Sequence, residues 1–187
     1  MEAALVGQGN VGRIAERIVA NELEYRGFRV TDLNKDGTSA NADLLAACGE
    51  KTLQIQVKGA SQRRTDKGWE DWWVQYGYCN AEIMSKMQPM FNRTSSFYKA
   101  QVVILAAVRT PCEYTCVVLP VHVAERAAQI NLNREFRIPT LKGTPHKPHK
   151  VWIYLDRIPQ MRDPGRLPLF NEEAAILRQY RDNWEIG

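Results

Sequence analysis

Glu16, Asp43, Gln56 and Lys58 have the residue types and the spacing for chemistry on a phosphate ester. Gln56 and Lys58 lie two apart near the end of the apolar run Thr52 to Val57, so in an extended strand their side chains share a face. Asp43 begins the preceding run, Ala42 to Ala47, and Cys48-Gly49-Glu50-Lys51 between the runs has hairpin length, so a hairpin brings all three together. Hydrolysing a phosphodiester requires a cation on the phosphate oxygens and an activated water, and a hard cation such as magnesium is held by carboxylate, amide and carbonyl oxygens. Asp43, Gln56 and the Val57 backbone carbonyl can supply these. A lysine beside the metal orients or deprotonates the water and stabilises the charge that grows on phosphorus, which suits Lys58. Taken singly, three of these have ordinary readings: Asp43 as a turn carboxylate, Glu16 as a solvated helix residue and Lys58 as a strand-end cation.

Positioning these groups is the work of a short series of elements. Val11, Ile14, Ala15, Ile18, Val19 and Leu23 recur at helical spacing, which predicts a helix over Val11 to Tyr25, capped by Asn10 and ended by Gly27. Glu16 then borders the apolar face of that helix and can reach over the sheet. Phe28 to Leu33 reads as a strand and Asn34 to Ser39 as a polar surface turn. The stretch from Gly59 to Trp69 reads as a loop, and Trp69 to Tyr78 as an edge strand or packed loop. Tyr98 to Val108 and Tyr114 to Val121 read as buried strands, His122 to Arg134 as a helix, Val151 to Leu155 as a strand and Glu172 to Trp184 as a closing helix.

The series Glu16-Arg17, Leu23, Gly27-Phe28, Ala42-Asp43-Leu44-Leu45 and Gln54-Ile55-Gln56-Val57-Lys58 resembles the PD-(D/E)xK nucleases, and within them archaeal Holliday-junction resolvases and Mrr-type restriction endonucleases. The resemblance covers roughly the first 60 residues. It implies an α/β fold, a restriction-endonuclease-like mixed β-sheet flanked by helices, with a proline-rich C-terminal extension from about residue 136 on a single domain with its core at about 10–135. It also implies that Glu16 (through a water) and Asp43 are metal ligands, that Gln56 binds through its amide oxygen, and that Lys58 is the catalytic lysine. The implied cofactor is Mg2+, with Mn2+ able to substitute. The implied activity is endonuclease cleavage of DNA, of the restriction or junction-resolving kind, by a homodimer, since duplex cleavage needs two sites. Two positions depart from the pattern: Ala42 stands where the family has proline, and Gln56 replaces an acidic residue. The missing charge weakens cation binding, which keeps open a catalytically inactive nucleic-acid-binding module of the same fold; because the same site hydrolyses either polymer, an RNA-cleaving nuclease or toxin domain is a further alternative. RNA, or a separate specificity subunit, stays open as a partner.

After Lys58, Arg63, Arg64 and Lys67 can neutralise substrate phosphates or form an ordinary solvated cluster. Trp69, Trp72, Trp73, Tyr76 and Tyr78 can stack bases, though such residues are more often core or interface. His122, His146 and His149 are too dispersed for a histidine metal site. Gly7-Gln8-Gly9-Asn10-Val11-Gly12 matches a dinucleotide-binding pattern by letter, without the strand context that would support it. The 187 residues, 44% of them hydrophobic, suit one domain. The net charge of +4 is compatible with a polyanionic partner without requiring one. No apolar run approaches the length of a membrane span and no basic leader opens the chain, so a cytoplasmic protein is expected, with Cys48, Cys79, Cys112 and Cys116 as small buried hydrophobes.

Overall fold

Helical spacing of small and branched apolar residues produces α1, Val11–Tyr25, which buries Ala15, Ile18, Val19 and Leu23. Its end is a Schellman closure: Gly27, at φ +87°, donates its N–H to Glu24 and Phe28 donates to Leu23, while Phe28 and Leu23 join one apolar cluster. The start differs from expectation. The Asn10 side chain makes no capping bond, because its ψ of −2° is already helical, whereas a capping side chain reaches the first-turn N–H groups from extended backbone. In the computed structural model the described residues are 10–34, 42–61, 64–65, 68–69, 73–77, 100–136, 151–154 and 167–186.

Three strands follow: β1 (Arg29–Asp32), β2 (Leu44–Cys48) and β3 (Lys51–Ser61). The β2–β3 hairpin turns through Gly49, at φ +59°, and keeps the register Leu44↔Ile55 to Cys48↔Lys51. β3 runs on past Val57 to Ser61, so Gly59, Ala60 and Ser61 are strand and not the expected loop. They are held there by β7 (Val102–Thr110), which pairs with β3 in parallel from Ile55↔Val102 to Ser61↔Val108. Long-range pairing of this kind leaves no local sequence signal. β8 (Glu113–Pro120) returns antiparallel to β7 and completes a mixed five-stranded sheet in the order β1-β2-β3-β7-β8. Two small ladders lie outside it: β4 (Arg64–Thr65) with β5 (Gly68–Trp69), and β6 (Trp73–Gly77) with β9 (Val151–Tyr154).

Strand alternation divides the core in two. Leu53, Ile55, Val57, Ile104 and Val118 face α1. Val103, Leu105, Ala107 and Leu119 face α2 (Val121–Phe136) and α3 (Leu167–Gln179) through Ala124, Ala127, Ala128 and Leu177. This is the expected α/β arrangement, a mixed sheet with flanking helices, consistent with a restriction-endonuclease-like fold. A buried ion pair, Arg134 to Glu173, joins α2 to α3, and Asn131 Nδ2 donates to the same carboxylate at 3.1 Å.

The closing helix is shifted from the expected Glu172–Trp184. α3 begins at Leu167, because Pro168 is tolerated in a first turn, and stops at Gln179. The chain then runs along β8: Val118 N–H donates to Tyr180, Asp182 N–H donates to Cys116, and Cys116 N–H donates to Asp182 Oδ1 at 2.9 Å. Trp184 and Ile186 pack on the α1 side, with the Arg26 guanidinium 4.8 Å from the Trp184 ring centre. Of the cysteines, Cys116 is buried, its thiol pushed up to about 12 by burial and by Asp182, whereas Cys48 and Cys112 are exposed, contrary to expectation, because each lies at a strand end or in a turn. Cys79 is outside the described residues. Among the described residues no helix is long and apolar enough to cross a membrane.

Candidate metal centre

Asp43 immediately precedes β2, at the point where the β2–β3 ladder ends and β3 continues paired only with β7. Its carboxylate takes over there from the strand ladder: Oδ2 accepts the Val57 N–H at 2.7 Å and a short bond from Gln56 Nε2. The Asp43 N–H donates to the Ile55 carbonyl at 2.8 Å, which locks the backbone under the side chain. Gln56 is only 5% exposed, so its amide must find its partners inside the protein. Besides Asp43 it reaches the Val57 carbonyl, at 3.4 Å. The expected trio Asp43, Gln56 and Val57 is therefore one hydrogen-bonded unit.

Glu16 comes from α1, which packs on the other face of β3, so the group straddles the rim of the sheet. Helix and strand approach closely because position 59 has no side chain. A Cβ there would lie 2.6 Å from the Ala15 Cβ and 3.0 Å from the Val11 carbonyl oxygen. The sequence reading missed Gly59. It also missed Asn34, whose amide bridges the two carboxylates: Nδ2 lies 3.3 Å from Glu16 Oε1 and 3.2 Å from Asp43 Oδ1. Asn34 is held from its backbone, since its own N–H donates to Asp32 Oδ1 at 2.9 Å and the Leu33 N–H donates to the Asp43 carbonyl at 2.9 Å. A polar residue at the end of a strand opposite a motif carboxylate was the available signal.

Electrostatics mark the same spot. The Glu16 carboxyl is held above the ordinary glutamate range, first by partial burial and then by the negative charge of Asp43. The Asn34 amide opposes that shift, Asp32 adds to it, and Arg13 draws it back. Beside Glu16 opens a cleft of about 480 Å³ whose walls include Arg13, Arg17, Asp32 and Asn34.

Lys58 is half-buried on β3, in register with Leu105. Strand alternation puts it on the face of Gln56, roughly 7 Å further along. Of the basic residues expected to meet phosphate, Arg63 and Lys67 lie outside the described residues, and Arg64 is described only through the backbone of β4.

Two carboxylates, two side-chain amides and a backbone carbonyl make an oxygen donor set that fits a hard cation of the magnesium type. Among the described residues no three His, Cys, Asp or Glu side chains converge into a group that could hold a metal ion, so amide and carbonyl oxygens would have to complete the shell. In this arrangement both amides aim N–H groups at Asp43. Because an amide has nearly the same shape after its terminal torsion turns over, the same positions can offer oxygen instead.

No protein-family model matches the chain, and no curated protein matches it. Solved structures similar to it include a bacterial homing endonuclease, I-Ssp6803I, at 15% identity over 93% of this chain and 95% of that one, with a TM-score of 0.45. Another is MepB, at 13% identity over 86% and 87% of the two chains, with a TM-score of 0.35. The functional reading rests on the geometry of the site.

Proposed function

We propose that the chain is a magnesium-dependent nuclease that hydrolyses phosphodiester bonds of DNA. The observation that carries this reading is the joined set of Asp43, Gln56 and the Val57 peptide, linked through Asn34 to Glu16 on the opposite element. Asp43, Glu16 and the oxygens of Gln56 and Val57 would hold the cation, Mg2+ or Mn2+, which supplies Lewis-acid stabilisation of the phosphate and lowers the pKa of a water. Lys58, one pleat along from Gln56, orients the attacking water and neutralises charge on the phosphate oxygens. Glu16, at the edge of this group, would act through a water on the cation, its carboxylate accepting a hydrogen bond from that water. Duplex cleavage requires two such sites, so the working form is a homodimer.

The amide at Gln56 favours a second reading. With one fewer negative charge at the ladder position, the same fold could bind nucleic acid without cutting it.

The test is cleavage of plasmid, linear duplex, branched DNA and RNA by wild type, Asp43→Asn and Lys58→Ala, in Mg2+, Mn2+ or EDTA, alongside gel-shift binding. Cutting of DNA that needs metal and falls about a hundredfold or more in both variants is expected. Binding without cutting under every metal supports the second reading. A Lys58→Ala protein that cuts as well as wild type removes Lys58 from the mechanism.

A further inference from the structure

Asn34 lies nine residues before Asp43 and eighteen after Glu16, yet its single amide group touches both carboxylates. Two like charges that share one donor group lie close enough to favour a positive partner between them. Here the partner is a neutral N–H pair, placed where a cation could balance both carboxylates. The arrangement is built from the backbone: the Asn34 N–H is tied to Asp32, and the Leu33 N–H to the carbonyl of Asp43 itself, so residue 34 cannot drift from the site without breaking main-chain bonds. Exposure of Asn34 at the wall of the cleft leaves room for its terminal torsion to turn over.

We propose that Asn34 is a switchable ligand of the metal centre. Without a cation its Nδ2 group holds Glu16 and Asp43 together, and with a cation its Oδ1 replaces Nδ2 and becomes an additional oxygen ligand. The inference rests on the metal-site reading above and adds a residue to it. It also accounts for how a site with glutamine at the ladder position binds a divalent cation: a second amide oxygen makes up part of the coordination that the lost carboxylate would have supplied.

Mn2+ titration tests this without reference to activity, using calorimetry and electron paramagnetic resonance on wild type, Asn34→Ala, Asn34→Asp and Asp43→Ala, each checked for folding by circular dichroism. The expected result is Mn2+ binding by wild type that is lost in Asp43→Ala, weakened about tenfold or more in Asn34→Ala, and restored to at least the wild-type level in Asn34→Asp. If Asn34→Ala binds Mn2+ as tightly as wild type or more tightly while Asp43→Ala does not bind, Asn34 is only a placeholder, and the proposal fails while the metal site stands. If folded wild type binds no Mn2+, both fail together.

Discussion

The Tyr114 phenol donates to the Glu22 carboxylate, which also meets Arg26, and each partner alters the titration of the other. Glu22 is held below the ordinary glutamate range, chiefly by the Tyr114 hydrogen bond, and that same bond is the main reason the phenol is pushed up to about 12. The two shifts have opposite consequences for stability. A depressed carboxyl stabilises the fold above its unfolded pKa and loses that contribution as the solution is acidified. A raised phenol stabilises it below the unfolded value of 10.0 and loses the contribution as pH climbs toward about 12. Tyr114→Phe should therefore cost about 1 kcal/mol near neutrality, solvent screening keeping it modest, and flatten the stability profile at both ends. Urea unfolding across pH checks this, and parallel wild-type and variant profiles would dismiss the pair. At this scale the sequence was legible where a residue's neighbours in the chain are also its neighbours in space. Asp43, Gln56 and Val57 meet across one hairpin and were foreseen. Asn34 was not, because it meets Glu16 only through the return of β1 beside α1, and its own surroundings read as a surface turn.

At the level of elements, the contact of α1 with β3 sets the distance between Glu16 and the hairpin. Glycine inside a strand normally weakens it, by roughly 0.5–1 kcal/mol relative to alanine. Gly59→Ala should nevertheless destabilise the protein, because the added methyl falls 2.6 Å from the Ala15 Cβ, next in sequence to Glu16. A loss of about 1–3 kcal/mol is expected from this overpacking, together with weaker Mn2+ binding as the helix is pushed outward. Denaturant melts and metal titration on the same protein check both, and a Gly59→Ala protein as stable as wild type with unchanged metal affinity would show that the helix yields freely. Most elements were readable from periodicity: α1, the β2–β3 hairpin, β7, β8 and α2 lie close to where the apolar spacing put them. The end of β3 was not, since Gly59, Ala60 and Ser61 carry no strand pattern of their own and are extended because β7 pairs with them.

Across the whole molecule, residues 167–186 of the expected C-terminal extension contribute to both halves of the core. Leu177 packs under the sheet, Trp184 and Ile186 pack above it, and Lys51 Nζ donates to the Ile186 carbonyl at 3.0 Å. Tyr180 and Asp182 also close the β8 margin with backbone hydrogen bonds, which removes one open edge from the sheet.

The parallel join of β3 to β7 carries a kinetic meaning. Its first pair, Ile55↔Val102, encloses a loop in which 102 − 55 = 47, whereas the tightest pair of the neighbouring hairpin, Cys48↔Lys51, spans only three positions. Closing the longer loop costs more chain entropy before any contact repays it. During refolding the hairpin that unites Asp43 with Gln56 should gain amide protection before the β3–β7 ladder does, and pulsed hydrogen exchange reads that order directly. Protection of Ile104 and Leu105 ahead of Ala46 and Leu53 would reverse it. In the expected order, half of the centre is a local product of early folding, and the long join is the slow step that completes the sheet.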